Sequence, residues 1–254
     1  MDQNQDKNIT SIVININNID PEHRSLALKC SNYLKSNKIT YDNDYFINNE
    51  TMNRFLVARN NNEKEAYEMW ETWVKWRLDY LPNKITVDSI KNELKIGKIF
   101  IHGFCPEKRP VIVIKTGLHF PGDSDFDELT RLGIFWMEKV CKIADETGTK
   151  EIVAIVDREN SGFKNFERRI ISKGGIISML QDFYAERLHK IYIIHVNWVF
   201  RSIFAIIRPF LSTRTNDKLV ICANATDLKK YFTDDNLLKE HGGTSSYKYE
   251  IPLA

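Results

Sequence analysis

The chain lacks the short motifs that mark common nucleotide-dependent and hydrolytic enzymes. Neither glycine-rich phosphate-binding pattern, GxGxxG or GxxxxGK[ST], occurs in it. A GxSxG nucleophile turn and an HExxH zinc pair are also absent, and the six histidines are scattered. We therefore expect a protein that is not an enzyme and that holds no metal and no cofactor.

The chain has few cysteines and a small net charge. The four cysteines (Cys30, Cys105, Cys141 and Cys222) lie far apart and form no CxxC pair, which is typical of reduced core thiols in a cytosolic protein. The 36 basic and 34 acidic residues leave a formal charge of +2. That balance excludes a dedicated nucleic-acid binder, which carries a strong basic excess.

Long uninterrupted apolar runs are missing too. The first ten residues, MDQNQDKNIT, contain no apolar signal core, so we expect a cytoplasmic protein. The most membrane-like segment, residues 191–211, is interrupted by His195, Asn197, Arg201 and Arg208. A charge near a bilayer centre costs roughly 2.5–3.5 kcal/mol, which argues against a spanning helix but leaves contact with a membrane surface open.

The pattern of apolar residues changes along the chain. Residues 1–20 are rich in Asn and Asp and are predicted to be a flexible lead. Residues 21–95 are predicted to be helical: Leu26, Cys30 and Leu34 recur at helical spacing after Pro21, and further helices are predicted at about 44–59 and 63–80. Trp70 and Trp73 in the third helix could stack on a ligand, although a packing face is the preferred interpretation.

From residue 96 to residue 254, short apolar strands alternate with helices. Strands are predicted at 99–101, 110–114, 152–156, 191–194 and 219–222, and helices at about 126–147, 165–183 and 198–211. This alternation predicts an α/β domain with a mainly parallel sheet flanked by helices.

Two residues at strand ends are candidates for catalysis. Asp157 ends the third strand and His195 ends the fourth, and such ends often face ligands in α/β folds. Neither has a partner acid, base or metal ligand nearby in sequence. A loop-capping aspartate and a satisfied loop histidine are therefore preferred over an enzyme site.

The helix at 198–211 is apolar nearly all the way round and carries Arg201 and Arg208 on one stripe. Such a helix is normally buried on all sides. Alternatively, its inner face lines an apolar cavity and its outer face meets lipid, with the arginines on lipid phosphates.

Four segments in order resemble the CRAL-TRIO lipid-binding family. They are RFLVARNNNEKEAYEMWETWVKWR, GFCPEKRPVIVIKTG, DFYAERLHKIYIIHVNWVFRSIFAIIRPFLSTRTNDKLVI and LLKEHGGT, within residues 22–245. The resemblance implies a helical N-terminal segment, an α/β body, and a lipid cavity closed by a mobile gating helix. It also implies that a lipid is exchanged between membranes, or presented to enzymes such as lipid kinases, without any bond being made or broken.

The phosphatidylinositol-binding branch of the family implies a set of headgroup residues. Its motifs match Arg59, Glu186, Thr215 and Lys218 in this sequence. The alternative for Glu186 and Lys218 is an ordinary surface salt bridge. Two positions depart from the branch, because Asn60 stands where a Lys is frequent and Ala185 where a Pro fixes the turn.

A further departure concerns a second ligand. Members that also bind phosphatidylcholine carry Ser and Thr where this chain has Ile152 and Ala154, and often a Tyr at Ile112. With Ile114, these residues are predicted to line a dry cavity. An unpaired phosphate there would cost several kcal/mol, so we expect no phosphatidylcholine binding.

The same resemblance implies a gate and a hinge. Phe200, Ile203, Phe204 and Ile207 are the predicted apolar contacts of the gating helix. Gly242 and Gly243 match the family's glycine pair and could serve as a hinge, although a simple tight turn explains them equally well.

The sequence thus predicts a monomeric, cytoplasmic phosphatidylinositol carrier that touches membranes transiently and binds no nucleic acid. Two alternatives stay open. One is a carrier of a sterol, tocopherol, retinoid or fatty acid in the same fold, which the apolar Ile152 and Ala154 favour. The other is a protein-interaction scaffold that transfers nothing.

Overall fold

The computed structural model describes residues 16–39 and 43–252. The chain forms two compact units, Met1–Leu78 and Asp79–Ala254. The composition change that we took as the domain boundary lies further on, between residues 95 and 96, and stays a prediction. Of the predicted lead at 1–20, the first fifteen residues lie outside the described part, residues 16–18 form a 3-10 turn, and Ile19 is buried.

The first unit is helical, as predicted. Its helices are α1 (Arg24–Ser36), α2 (Asn43–Phe46), α3 (Asn49–Ala58) and α4 (Glu63–Tyr80), the last of which runs past the division between the units. The prediction of a single helix at 44–59 is wrong. The structure has α2 and α3 there, because Asn48 caps a new helix by accepting a hydrogen bond from the Thr51 amide. Trp70 and Trp73 are buried, which supports the packing interpretation of α4.

The second unit contains a five-stranded sheet. Its strands are β1 (Ile99–Phe104), β2 (Pro110–Lys115), β3 (Ile152–Asp157), β4 (Leu188–Ile194) and β5 (Leu219–Ile221). They lie in chain order, with β1 antiparallel to β2 and every other neighbouring pair parallel. The predicted mainly parallel α/β sheet is confirmed.

The helices of the second unit are α5 (Lys91–Leu94), α6 (Phe126–Glu146), α7 (Ile176–Phe183), α8 (Trp198–Ile207) and α9 (Thr213–Asp217). The helices α6, α7 and α8 each connect two neighbouring parallel strands. Such connections are right-handed, so with the strands in chain order all three helices fall on one face of the sheet.

Two predicted helix limits are wrong. The helix predicted at 165–183 is only α7, preceded by 3-10 turns at Phe163–Asn165 and Arg168–Ile171. Gly174 has a φ of +75°, and a Cβ at Gly175 would lie 2.4 Å from the Arg169 carbonyl oxygen, so the chain turns sharply there. The helix predicted at 198–211 ends at Ile207, because Pro209 cannot continue it, and a 3-10 turn follows.

The opposite face of the sheet is covered by residues 225–250, which we call the C-terminal layer. Tyr247 stacks on Phe100 of β1 with ring centroids 5.6 Å apart, and Phe232 meets Tyr192 of β4 at 5.2 Å. Strand alternation therefore turns the neighbouring set of side chains toward α6, α7 and α8. In that set Ile112 pairs with Ala154 and Ile114 with Val156.

Candidate functional site

Three of the four predicted headgroup residues lie in the second unit, at the amino ends of β4 and β5. Glu186 precedes β4, and Lys218 directly precedes β5. The Nζ atom of Lys218 lies 3.2 Å from Oε2 of Glu186. Thr215 is joined to Lys218 through the α9 backbone, where the Lys218 amide donates to the Thr215 carbonyl at 3.1 Å.

A second cation, Arg214, adds to this cluster and was missed in the sequence. Its Nη1 atom lies 3.8 Å from Oε1 of Glu186, so two cations face one carboxylate. The Lys218 and Glu186 side chains are 22% and 19% exposed, which leaves them open to a ligand. Both cations carry hydrogen-bond donors of the kind that bind an anion. Proximity to Lys218 in the loop was the signal that could have identified Arg214.

The hydroxyl of Thr215 is tied into the start of α9. Ser212 caps this short helix by accepting a hydrogen bond from the Thr215 amide at 3.1 Å, and the two side-chain oxygens lie 2.9 Å apart. Residues Thr213–Asp217 therefore form a short helical turn. This turn holds Thr215 and Lys218 at a fixed spacing.

The turn before Glu186 is held without the proline that the family carries there. Glu186 adopts a φ of +53°, a left-handed conformation that is strained for a side chain of this size. Neighbouring residues fix it, since Arg187 donates to Asp145 at 2.7 Å and the Tyr184 hydroxyl donates to Glu138 at 2.6 Å. Ala185 is buried between these anchors.

Arg59 belongs to the first unit. It caps the carboxyl end of α3, its side chain is half-buried, and its Nη1 donates to the Ala58 carbonyl at 3.2 Å. Asn60, the position where a Lys is frequent, follows in a left-handed conformation with a φ of +52°. The place of Arg59 in a headgroup site stays a prediction.

Helices α7 and α8 are apolar but poorly buried. None of the residues of α7 is fully buried, although it carries Ile176, Ile177, Met179, Leu180 and Phe183. In α8 only Phe200 and Ile203 are buried, while Phe204 and Ile207 are half-buried. On the outer side of α8, Trp198 is 71% exposed.

The sheet beneath these helices also keeps accessible apolar surface. Ile114, Val156 and Ile191 are half-buried although they belong to β2, β3 and β4 in the interior of the sheet. Close-packed side chains would leave no such surface, so the sheet and the helices α7 and α8 do not pack tightly on one another. Ile152, Ala154 and Ile112 are buried deeper on the same face.

Comparison with known proteins decides the family. Residues 94–243 match the model of the CRAL/TRIO domain. The chain belongs to the CRAL/TRIO domain family. It is 28% identical over 211 residues to a CRAL-TRIO domain-containing protein of Schizosaccharomyces pombe, covering 78% of this chain and 46% of that protein.

A second curated relative is named as a transfer protein, and one solved structure shares the fold. The chain is 27% identical over 191 residues to the phosphatidylinositol/phosphatidylcholine transfer protein SFH7 of Arabidopsis thaliana, covering 68% of this chain and 35% of that protein. It thus spans less than half the length of both curated relatives. The crystal structure of Sfh5 superposes with a TM-score of 0.68 at 17% identity over 90% of this chain and 89% of that one, which shows the fold alone.

In this CRAL/TRIO chain, Asp157 is the centre of a buried hydrogen-bond network. Its two oxygens lie 2.8 Å from Nδ1 of His195 and 3.0 Å from Nε2 of His241, and the Glu159 amide also donates to it. Burial alone would raise the pKa of Asp157, but the bonds from His241, Glu159 and His195 lower it to about 2. The loop-capping interpretation of Asp157 is supported, and His195 is its partner.

This network connects three parts of the CRAL/TRIO body. Asp157 ends β3, His195 lies just before α8 with a φ of +56°, and His241 belongs to the C-terminal layer. Lys115 pairs with the neighbouring Glu240 at 2.5 Å. The aspartate oxygens and Glu240 thus already have partners, and we interpret the cluster as structural.

The two predicted hinge glycines form a tight turn. Gly242 has a φ of +84°, and a Cβ on Gly243 would lie 2.1 Å from the Leu237 carbonyl oxygen. Both positions therefore require glycine for local reasons. A hinge role stays a prediction.

No helix within residues 16–39 and 43–252 combines the length and the apolar character that a membrane crossing requires.

Proposed function

We propose that this CRAL/TRIO chain binds one phosphatidylinositol and exchanges it between membranes or presents it to lipid-modifying enzymes such as lipid kinases. One observation carries the proposal: the same unit combines an apolar surface left open between the sheet and the helices α7 and α8 with a cluster, at the amino ends of β4 and β5, in which Lys218 and Arg214 face Glu186. An acyl chain fits the first feature and an anionic headgroup the second. The transfer names of relatives are consistent with it.

The headgroup would bind at Lys218, Arg214, Thr215 and Glu186. The ammonium and guanidinium groups donate to the phosphate, and Glu186 accepts from inositol hydroxyls while keeping the cations in place. Because Glu186 already lies within 3.2 Å of Lys218, the lysine is oriented before the lipid arrives. The role of Arg59, which rests on its motif alone, stays a prediction.

Phosphatidylcholine is not an expected ligand. Ile112, Ile152 and Ala154 share the helix-bearing face and offer no side-chain donor. A phosphocholine group placed against them would leave its phosphate unpaired. The same apolar residues would suit a neutral lipid, which is the second candidate ligand class.

Contact with the membrane would be transient and would use the outer side of α8. Trp198 is 71% exposed and Phe163 53% exposed, and their rings meet at 5.9 Å. Aromatic rings of this kind favour the interface between headgroups and acyl chains. Arg201 and Arg208 are exposed nearby in the same segment and would meet lipid phosphates.

The test is lipid loading followed by transfer. The purified chain is incubated with vesicles of phosphatidylinositol and phosphatidylcholine, and its bound lipid is identified by native mass spectrometry. We expect one phosphatidylinositol per chain. Transfer of labelled phosphatidylinositol should fall about tenfold or more in Lys218→Ala, because a charge-assisted hydrogen bond to phosphate is lost.

Lys229→Ala is the matched control, because Lys229 also pairs with a carboxylate at 3.2 Å but lies in the C-terminal layer. It should transfer normally. If both variants transfer like the wild type, the headgroup site is wrong. A bound sterol would retain the cavity and overturn the phosphatidylinositol assignment, and bound phosphatidylcholine would overturn its exclusion.

A further inference from the structure

Arg158 is a buried arginine that the proposed headgroup site does not use. It follows Asp157 at the carboxyl end of β3, and its amide donates to the Ile194 carbonyl of β4 at 3.3 Å. The strand alternation therefore continues through it. Asp157 turns to the C-terminal layer, and Arg158 turns to the helix-bearing face, where its Cζ lies 5.4 Å from the ring centroid of Phe200 in α8.

Within the described part of the chain, the guanidinium of Arg158 has no anionic partner. The residue is 9% exposed, and among the residues that the structure describes no acceptor reaches its buried Nε and Nη2 atoms. No ion pair with Arg158 occurs in that part of the chain. Burial lowers the pKa of this arginine, with no carboxylate to offset it. The Phe200 ring attracts the cation but accepts no conventional hydrogen bond.

Arg187, in the same unit, is a buried arginine whose guanidinium has hydrogen-bond acceptors. It is 8% exposed, and it donates to both Asp145 oxygens and to the Lys150 carbonyl. Among the described residues, no carboxylate or carbonyl accepts from Nε or Nη2 of Arg158 in this way. In the same turn, the buried hydroxyl of Ser161 also has no partner within residues 16–39 and 43–252. Such unsatisfied groups are costly, and they point to an absent ligand that accepts hydrogen bonds.

We propose that Arg158 is the anchor of a second, anionic subsite beneath α8, which takes the acidic head of an amphiphile. The shared chemistry is a carboxylate or phosphate oxygen on an apolar tail. The tail would lie along the apolar surface near Phe200, and the anion would accept from Nε and Nη2 of Arg158, with Ser161 as a further donor from the same turn.

This subsite is separate from the proposed headgroup cluster. Arg158 lies at the carboxyl end of the parallel strands, whereas Glu186 and Lys218 lie at the amino ends of β4 and β5. The seven residues of β4 span roughly 20 Å, so one headgroup cannot occupy both places. The inference shares with the proposed function only the apolar surface under α8.

The experiment measures binding of three probes to the delipidated full chain by isothermal titration calorimetry. The probes are oleate, its uncharged methyl ester, and dioleoyl phosphatidic acid in phosphatidylcholine vesicles. We expect an anionic probe to bind more tightly than the ester. Arg158→Met should weaken anion binding by about 10- to 100-fold and leave ester binding unchanged, because it removes a charged donor but keeps apolar volume.

Arg168→Met is the matched control, since Arg168 is an exposed arginine of the 3-10 turn Arg168–Ile171 and belongs to neither proposed site, and it should bind all three probes like the wild type. Arg158→Lys, which keeps the charge, should retain part of the preference for the anion. The ligand-free Arg158→Met chain should also melt at a higher temperature than the wild type, because an uncompensated buried charge is removed.

Preference for oleate would assign a fatty carboxylate, and preference for phosphatidic acid a lipid phosphate. Equal affinity for oleate, ester and phosphatidic acid would overturn the subsite, and so would wild-type anion binding by Arg158→Met. If Arg158→Met did not fold, the same comparison would be made with Arg158→Gln. Phosphatidylinositol loading and its sensitivity to Lys218→Ala are measured separately, so failure of either proposal leaves the other testable.

Discussion

Helix α6 and the pair α7 and α8 lie on the same face of the sheet but are buried very differently. In α6, Leu132, Val140 and Ala144 are fully buried. In α7 no residue is fully buried, and α8 buries only Phe200 and Ile203, although most residues of both helices are apolar. The apolar composition of a helix therefore predicts that it has a surface that avoids water. It does not predict that the rest of the protein buries that surface.

Within the layer of helices on this face, α6 therefore belongs to the core that stabilises the fold, whereas α7 and α8 do not. The core of the body is formed by α6, the sheet and the C-terminal layer, where close packing stabilises the fold. The helices α7 and α8 leave apolar surface uncovered, which is where we propose that a ligand and a membrane bind. If this division is right, equal substitutions in the two regions will have unequal effects on folding.

The largest difference in folding stability is expected between substitutions of two isoleucines, one in each region. Ile134 of α6 is 2% exposed, whereas Ile206 of α8 is 46% exposed. Ile134→Ala should lower the free energy of unfolding by about 2–4 kcal/mol, and Ile206→Ala by less than about 0.5 kcal/mol. Urea unfolding followed by circular dichroism measures both. Equal losses would mean that α8 is part of the core.

A smaller loss of stability is expected when the hydrogen bond between Asp157 and the segment before α8 is removed. Its pKa of about 2 is below the ordinary value of 3.8, so the folded state favours the charged carboxylate. The resulting stability, about 2 kcal/mol, is present above pH 4 and is lost as the pH falls from 4 toward 2. Asp157→Asn should be less stable at pH 6 by this amount and should lose that part of the acid dependence.

Urea midpoints between pH 2.5 and 6 provide the measurement. Asp182→Asn is the control, because Asp182 is exposed and accepts a hydrogen bond from Ser178 one turn away in its own helix. It should follow the wild-type curve. An unchanged acid dependence in Asp157→Asn would show that the network does not contribute to stability.

The smallest effect on folding is expected at the outer side of α8. Trp198→Ser should change the free energy of unfolding by less than about 0.5 kcal/mol, because the ring is already 71% exposed. Binding to phosphatidylinositol-containing vesicles should nevertheless fall about tenfold, since the ring no longer enters the interface. Vesicle co-sedimentation measures it. Ile251→Ser, at an exposed position beyond the C-terminal layer, should bind like the wild type.

The sequence predicts elements well where one period of apolar residues dominates. The limits predicted for α4, 63–80, agree with the structure, and the five strands are found at the predicted places. It fails where a backbone constraint breaks the pattern. Gly174 and Gly175 divide the helix predicted at 165–183, and Asn48 divides the one predicted at 44–59.

The site was predictable only where a motif spans it. Glu186 and Lys218 are 32 residues apart, and their pairing was suggested by family resemblance and agrees with the 3.2 Å contact. His241 is 84 residues from Asp157, and no local pattern links the two. Arg158 was not singled out either, because the absence of a partner is a property of the packed structure.

The end of β3 places opposite charges on opposite sides of the sheet in consecutive residues. Asp157 turns to the histidines of the C-terminal layer, and Arg158 turns to the apolar surface under α8. Inserting one residue into this strand would exchange them, bringing an acid to the apolar surface under α8 and a base to the histidines. In natural variation, insertions and deletions should therefore be tolerated in the turn after Arg158 far better than within β3.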